Sequence, residues 1–174
     1  TDPTVVITST SVNTGGSHNG ALTMIFTFSE EMTGIADGDF TFTNCAAGAY
    51  SVQTANTVFH QVCTPDTNGA TVTVAVAASK GTDPAGNNNA AATDFTFTYD
   101  TTAPTMTITS TTVSSGATTN DATIALVFTS SETTANLVST DVTLSAGSIG
   151  SSFAGSGSSY SATFTPSADA TFTI

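Results

Sequence analysis

The chain repeats itself over the length of a whole domain. Thr1-Asp2-Pro3-Thr4-Val5-Val6-Ile7-Thr8-Ser9-Thr10 returns as Thr102-Ala103-Pro104-Thr105-Met106-Thr107-Ile108-Thr109-Ser110-Thr111, with Pro3 and Pro104 101 positions apart. Phe26-Thr27-Phe28-Ser29-Glu30 is answered by Phe128-Thr129-Ser130-Ser131-Glu132. Asp39-Phe40-Thr41 is answered by Asp141-Val142-Thr143, and Thr64-Pro65 by Thr165-Pro166. Solenoid repeats of roughly 20–50 residues share one continuous core. A period of this length is instead the size of a small domain that folds on its own. Two domains are therefore expected, 1–100 and 101–174, arranged as part of an array. An array points to spanning, spacing or adhering rather than to one catalytic pocket.

Charge narrows the possible partners. One Lys and no Arg stand against 13 carboxylates, for a net charge of −12. Nucleic acid is excluded as a partner, because almost nothing could neutralise phosphates. Anionic membrane surfaces are disfavoured for the same reason, and cations are the natural counter-partners. Charged residues are only 8% of the chain, so solubility must come from hydroxyls and amides. Threonine alone is about a fifth of the sequence. Such a composition suits a secreted or cell-surface protein. The hydrophobic share of 39% is enough for a core, so disorder is not expected. No apolar run approaches the roughly 18 residues of a membrane span, so direct membrane insertion is not expected. There is no initiator Met or signal-peptide pattern, so Thr1 reads as an internal start.

Alternation of period two runs through most of the chain, and helical periodicity is absent. Strands are predicted at 4–12, 21–29, 39–44, 49–53, 57–63, 70–78 and 93–99. Turn chemistry separates them, as in Asn13-Thr14-Gly15-Gly16, Asp66-Thr67-Asn68-Gly69 and Asp83-Pro84-Ala85-Gly86-Asn87. About seven short antiparallel strands in a hundred residues predict an all-β fold of immunoglobulin-like, Greek-key sandwiches. Phe26, Phe28, Phe40, Phe42, Val72, Val74, Phe95 and Phe97 are the expected core, with alternate Thr facing water. The second repeat follows the same order, but Thr171-Phe172-Thr173-Ile174 aligns with Thr71-Val72-Thr73-Val74 of the sixth strand. The second sandwich is thus expected to lack its last strand. Truncation of a longer array is the preferred explanation, and a strand supplied by a neighbouring chain is the other.

Cys45 and Cys63 both lie in the first repeat. A disulfide is expected, with two unpaired buried thiols as the alternative. A zinc site is not, since two Cys 18 positions apart lack a clustered His partner. His60 should lie on the opposite strand face from Cys63. His18 and His60 form no nucleophilic constellation that the spacing supports, and no pair of carboxylates stands out as a glycosidase would need. Catalysis is not expected.

Three phrases carry a family resemblance: Tyr99-Asp100-Thr101-Thr102-Ala103-Pro104 at the junction, Thr27-Phe28-Ser29-Glu30, and Asp83-Pro84-Ala85-Gly86-Asn87. In this order and spacing the chain resembles the bacterial Ig-like repeats of large secreted adhesins and biofilm-associated surface proteins. The resemblance implies an extracellular, rod-like array whose junctions are frequently stiffened by calcium. It implies as partners neighbouring repeats of the same chain or copies of itself, and other surface proteins or glycans. Two departures stand out: the first repeat has the Cys pair and has Asp2 where the second has Ala103, and Thr129-Ser130-Ser131-Glu132 loses the aromatic of Thr27-Phe28-Ser29-Glu30 but keeps its glutamate.

Strand direction places the candidate calcium ligands. The loop carrying Glu30 and the loop carrying Asp83 and Asn87 should lie at one end of the first domain. Asp100 should abut the end of the next domain that carries Glu132. Such hard oxygen donors suit Ca²⁺, which takes six to eight of them. The competing reading makes them ordinary loop residues, with Asp capping turns and Glu exposed. A glycan- or protein-binding module would need exposed aromatics, for which Tyr50, Phe59 and Tyr160 are the candidates.

Overall fold

Strands of alternating apolar and hydroxyl residues bury one face and hydrate the other, and this pattern builds both halves of the molecule. The computed structural model describes residues 1–174 other than 151, 168 and 170. It separates into two units, Thr1–Thr102 and Ala103–Ile174.

The first unit is a two-layer sandwich. One sheet pairs β1 (Val5–Ser9), β3 (Leu22–Phe28), β6 (Val58–Pro65) and β5 (Cys45–Thr54) in the order β1-β3-β6-β5. The other has the order β2-β8-β7-β4, with β2 (Ser17–His18), β4 (Phe40–Thr43), β7 (Thr71–Val76) and β8 (Phe95–Tyr99). All pairings are antiparallel except β2 with β8. This is the Ig-like arrangement, with the first edge of the chain divided between the two sheets. Met24, Phe26, Phe28 and Phe59 face Phe40, Val72, Val74 and Phe97 across the interior. The rings of Phe26 and Phe40 stack across the layers, centroids 3.8 Å apart. Each such ring, fully buried, contributes about 2–3 kcal/mol of transfer free energy. Of the expected core residues only Phe42 is half-exposed.

Two elements depart from the sequence expectation. β2 is only two residues long and carries no alternation that could announce it; it exists because β8 offers a free edge. β5 begins at Cys45 rather than at 49. Its small residues Ala46 and Ala47 are held in the sheet by pairing with Thr64 and Cys63.

The second unit has one four-stranded sheet among the described residues, in the order β11-β12-β10-β9. Its strands are β9 (Met106–Ser110), β10 (Ile124–Thr134), β11 (Ser148–Ile149) and β12 (Ala154–Thr165). Leu126, Phe128, Tyr160, Ala162 and Phe164 form its buried centre. The counterparts of β4 and β7 are not strands here, although Val142, Leu144, Phe172 and Ile174 pack against that centre. Ser145 N–H donates to the Thr173 carbonyl at 3.1 Å. That contact repeats the Thr43 and Thr73 register of the first unit. A lone two-stranded ribbon is marginal in water. The second layer here is a docked pair of segments, around 142–145 and 171–174. On β9, Met106 and Ile108 are 39% and 41% exposed, where their counterparts Val5 and Ile7 are 7% and 8% exposed.

Candidate functional site

The Asp83 loop is closed by hydrogen bonds between Asp83 and Asn87. Asp83 is only 4% exposed, and its carboxylate accepts from the Asn87 backbone N–H and from Asn87 Nδ2, both at 2.8 Å. The backbone closes the same turn, with Gly86 N–H donating to the Asp83 carbonyl and Asp83 N–H to the Asn87 carbonyl. Hydrogen bonding from the Asn87 side chain, then from its backbone, holds the Asp83 carboxyl below the usual carboxylate range. Two residues on, Asn89 is 2% exposed and satisfies every polar group it has. Its Oδ1 accepts from Lys80 and Gly81 N–H, and its Nδ2 donates to the Ala77 and Ala90 carbonyls. Gly81 is required beside it: a Cβ there would lie 2.7 Å from Ile35 Cδ1 and 2.8 Å from the Thr33 carbonyl.

The loop bearing Glu30 and the loop bearing Asp83 and Asn87 do meet at one end of the sandwich. They are latched through Thr33 and Thr82, whose backbones exchange hydrogen bonds of 2.7 and 3.0 Å. Glu30 is half-buried next to that latch in sequence. Asp39 is engaged elsewhere: its Oδ2 accepts from Ala36 N–H at 2.9 Å, and its Oδ1 lies 3.8 Å from Lys80 Nζ. Asp100, half-buried at the end of β8, accepts from Thr102 N–H at 3.0 Å. Glu132 is half-buried in β10 of the second unit. Among the described residues no group of three or more His, Cys, Asp or Glu gathers as a metal cage. Within the first unit, the Asp83 carboxylate and the Asn87 amide are engaged with each other.

Cys45 and Cys63 form a disulfide, with Cα atoms 5.8 Å apart. It joins the neighbouring strands β5 and β6 within one sheet and sits at the core face. His60 is on the opposite face of β6, as alternation requires. His18 lies in β2 with its ring edge-on to Phe97.

The aromatic candidates for ligand contact are corrected by burial. Phe59 is 2% and Tyr160 5% exposed, and Tyr50 packs on Phe40 and Phe59. Phe59 and Tyr160 lie on the inward-facing register of their strands. A groove of about 430 Å³ runs along β1 beside the start of β8. Val5, Ile7, Val12 and Phe95 line it with Asp94 as its carboxylate, and neither His nor Cys reaches it.

The features that sequence reasoning missed are the braces shared by the two repeats. Ser29 Oγ accepts from Thr4 N–H at 3.0 Å, and Ser131 Oγ from Thr105 N–H at 2.9 Å. Ser29 and Ser131 N–H return bonds to the Thr4 and Thr105 carbonyls, each at 2.9 Å. Asp39 caps the Ala36 N–H as Asp141 caps the Val138 N–H, both at 2.9 Å. Ser9 and Ser110 each turn the chain after the first strand by accepting from Val12 and Val113 N–H. The repeated phrases were the signal. In Ser-Glu the serine pins the first strand, and in the Asp-aromatic/aliphatic-Thr phrase the aspartate caps the turn that leads into β4 in the first unit and into the segment from Val142 in the second.

No helix among the described residues is long and apolar enough to cross a membrane. No match was found among curated proteins. A family profile described as "Bacterial Ig-like domain" matches residues 1–99 and again 100–174. Both matched segments hold the β1–β3 and β9–β10 pairing with the same serine brace. The chain is thus a structural or adhesin-type repeat module and belongs, twice over, to the bacterial Ig-like domain family.

Proposed function

We propose that this chain is a spacing segment of an extracellular repeat protein, a stalk or adhesin shaft on the cell surface. The observation that carries the reading is the paired construction: two family units in tandem, braced by matching side chains at matching positions. Antiparallel ladders bear load along a sandwich, and the scarcity of basic residues keeps the array off nucleic acid and anionic lipid. Its partners are neighbouring repeats of the same chain or copies of itself, with other surface proteins or glycans met at the end of the array. Calcium at the joint belongs to the same reading, with Asp100 and Glu132 as oxygen donors of the chemistry that Ca²⁺ takes. Small-angle scattering of the protein with calcium and then with excess chelator tests it. A maximum dimension that stays long in calcium and becomes distributed in chelator is expected. An unchanged profile removes calcium, and a collapsed profile in both removes the stalk.

The exposure of Met106 and Ile108 favours a second reading, in which a strand from a neighbouring chain lies beside 171–174, completes the second sandwich over β9 and makes this a filament subunit. Concentration-dependent assembly in sedimentation velocity supports it, and a single monomeric species at every concentration ends it.

A further inference from the structure

Five successive amides lead the chain out of the first unit, and each has a partner. Thr98 N–H donates to the Gly16 carbonyl at 2.9 Å, Tyr99 to Ala70 at 3.0 Å and Asp100 to His18 at 3.0 Å. Thr101 N–H then donates to Asn68 Oδ1 at 2.8 Å, and Thr102 N–H to Asp100 Oδ1 at 3.0 Å. From Thr98 to Thr101 the partners alternate between the two sides of the strand, as they do for a central strand in a sheet. On the β7 side the backbone supply ends one step early. There the chain turns at Gly69, with φ +79°, whose N–H donates to the Tyr99 carbonyl at 2.7 Å. The next acceptor is the side chain of Asn68 instead of a backbone carbonyl. The same amide group also reaches forward, Nδ2 donating to Thr102 Oγ1 at 3.2 Å.

We infer that Asn68 is a positioning residue that extends the β7–β8 ladder by one side-chain rung and so fixes how the linker leaves the first unit. An asparagine suits the task because one planar amide offers an acceptor to Thr101 and a donor to Thr102 at once. Beyond the clamp, Ala103 is confined to extended backbone by the following Pro104, whose own φ is set by its ring. The linker is therefore held from Asp100 to Thr102 by hydrogen bonds and from Ala103 onward by proline sterics. The use of this clamp to stiffen an array rests on the stalk reading; the clamp itself belongs to the first unit alone.

Amide hydrogen exchange and ¹⁵N relaxation of the full chain test it, with Gly69 N–H as the internal reference. In Asn68→Ala the Thr101 amide is expected to exchange about tenfold faster, the loss of roughly one hydrogen bond. The heteronuclear NOE of Thr101 and Thr102 falls with it, while Gly69 exchange and the first unit's Tm are unchanged. Asn68→Asp keeps the acceptor and is expected to retain the slow exchange at Thr101. Unchanged Thr101 exchange in Asn68→Ala overturns the inference, as does an Asn68→Asp variant that loosens Thr101 as much as Asn68→Ala. These rates report on the first unit, so they stand or fall independently of the scattering that tests the stalk.

Discussion

Asp83 and Asn87 close a loop on each other, carboxylate to backbone N–H and carboxylate to side-chain amide, both at 2.8 Å. Because these bonds favour the ionised carboxyl, its value in the folded chain lies below the ordinary 3.8. The linkage has a fixed sign: the contribution is complete above about pH 3.8 and is lost as pH falls through the lower, folded value. Asp83→Asn, which cannot ionise, should unfold at a lower temperature than the parent at neutral pH. The gap should narrow as pH falls below about 3.8. Thermal scans of both proteins across the acid range check this; two parallel curves would refute it.

Asn89 is the more expensive residue to lose. Four hydrogen bonds end on its buried amide, and Asn89→Ala strands two N–H groups and two carbonyls. A loss of about 3 kcal/mol from the first unit is expected. In urea its midpoint should fall without a change of slope. A cost under about 1 kcal/mol would mean that water replaces the amide, and that the loop is looser than its bonds imply.

Removing the disulfide should be felt in one unit only. Cys45 and Cys63 close a loop of sequence separation 18. On the chain-entropy account the paired substitution Cys45→Ala with Cys63→Ala costs about 3 kcal/mol. The first unit's unfolding shifts and the second unit's does not, which calorimetry with NMR readout of each unit distinguishes.

Equivalent residues in the two repeats should respond differently to the same change. Ile7 is 8% exposed and Ile108 41%. Ile7→Thr is expected to cost about 2 kcal/mol, through lost apolar burial and a hydroxyl placed at the core. Ile108→Thr should lie within about 0.5 kcal/mol of the parent. Similar costs at both sites would show that the second sandwich is completed over β9 in solution.

Much of the first unit was legible because period-two alternation reports burial directly. Phe26, Phe28, Val72, Val74, Phe95 and Phe97 alternate with Thr, and all six lie inside. The aromatic candidates failed for the opposite reason. Phe59 and Tyr160 have neighbours such as His60 and Ser161 that leave the inward face undecided, and only the pairing partner decides it. The acidic residues were legible as to place but not as to engagement. The sequence puts Glu30 and Asp83 on loops at one end, yet it says nothing of Thr33 and Thr82 latching those loops, or of Asn87 taking the Asp83 carboxylate.

By itself, the sequence determined that the chain is two copies of one all-β plan, since a period of 101 residues and a two-residue alternation are properties of order along the chain. It also determined the sites of turning, because Gly, Asn and Asp set local backbone geometry without help from distant residues. The tertiary structure alone decided which side chains the polar groups serve. Asn68 holds Thr101, Asn89 holds Lys80 and Gly81, and Ser29 holds Thr4 across 25 positions. A hydrogen bond depends on a separation near 3 Å and an angle, and both exist only once the sheets have packed.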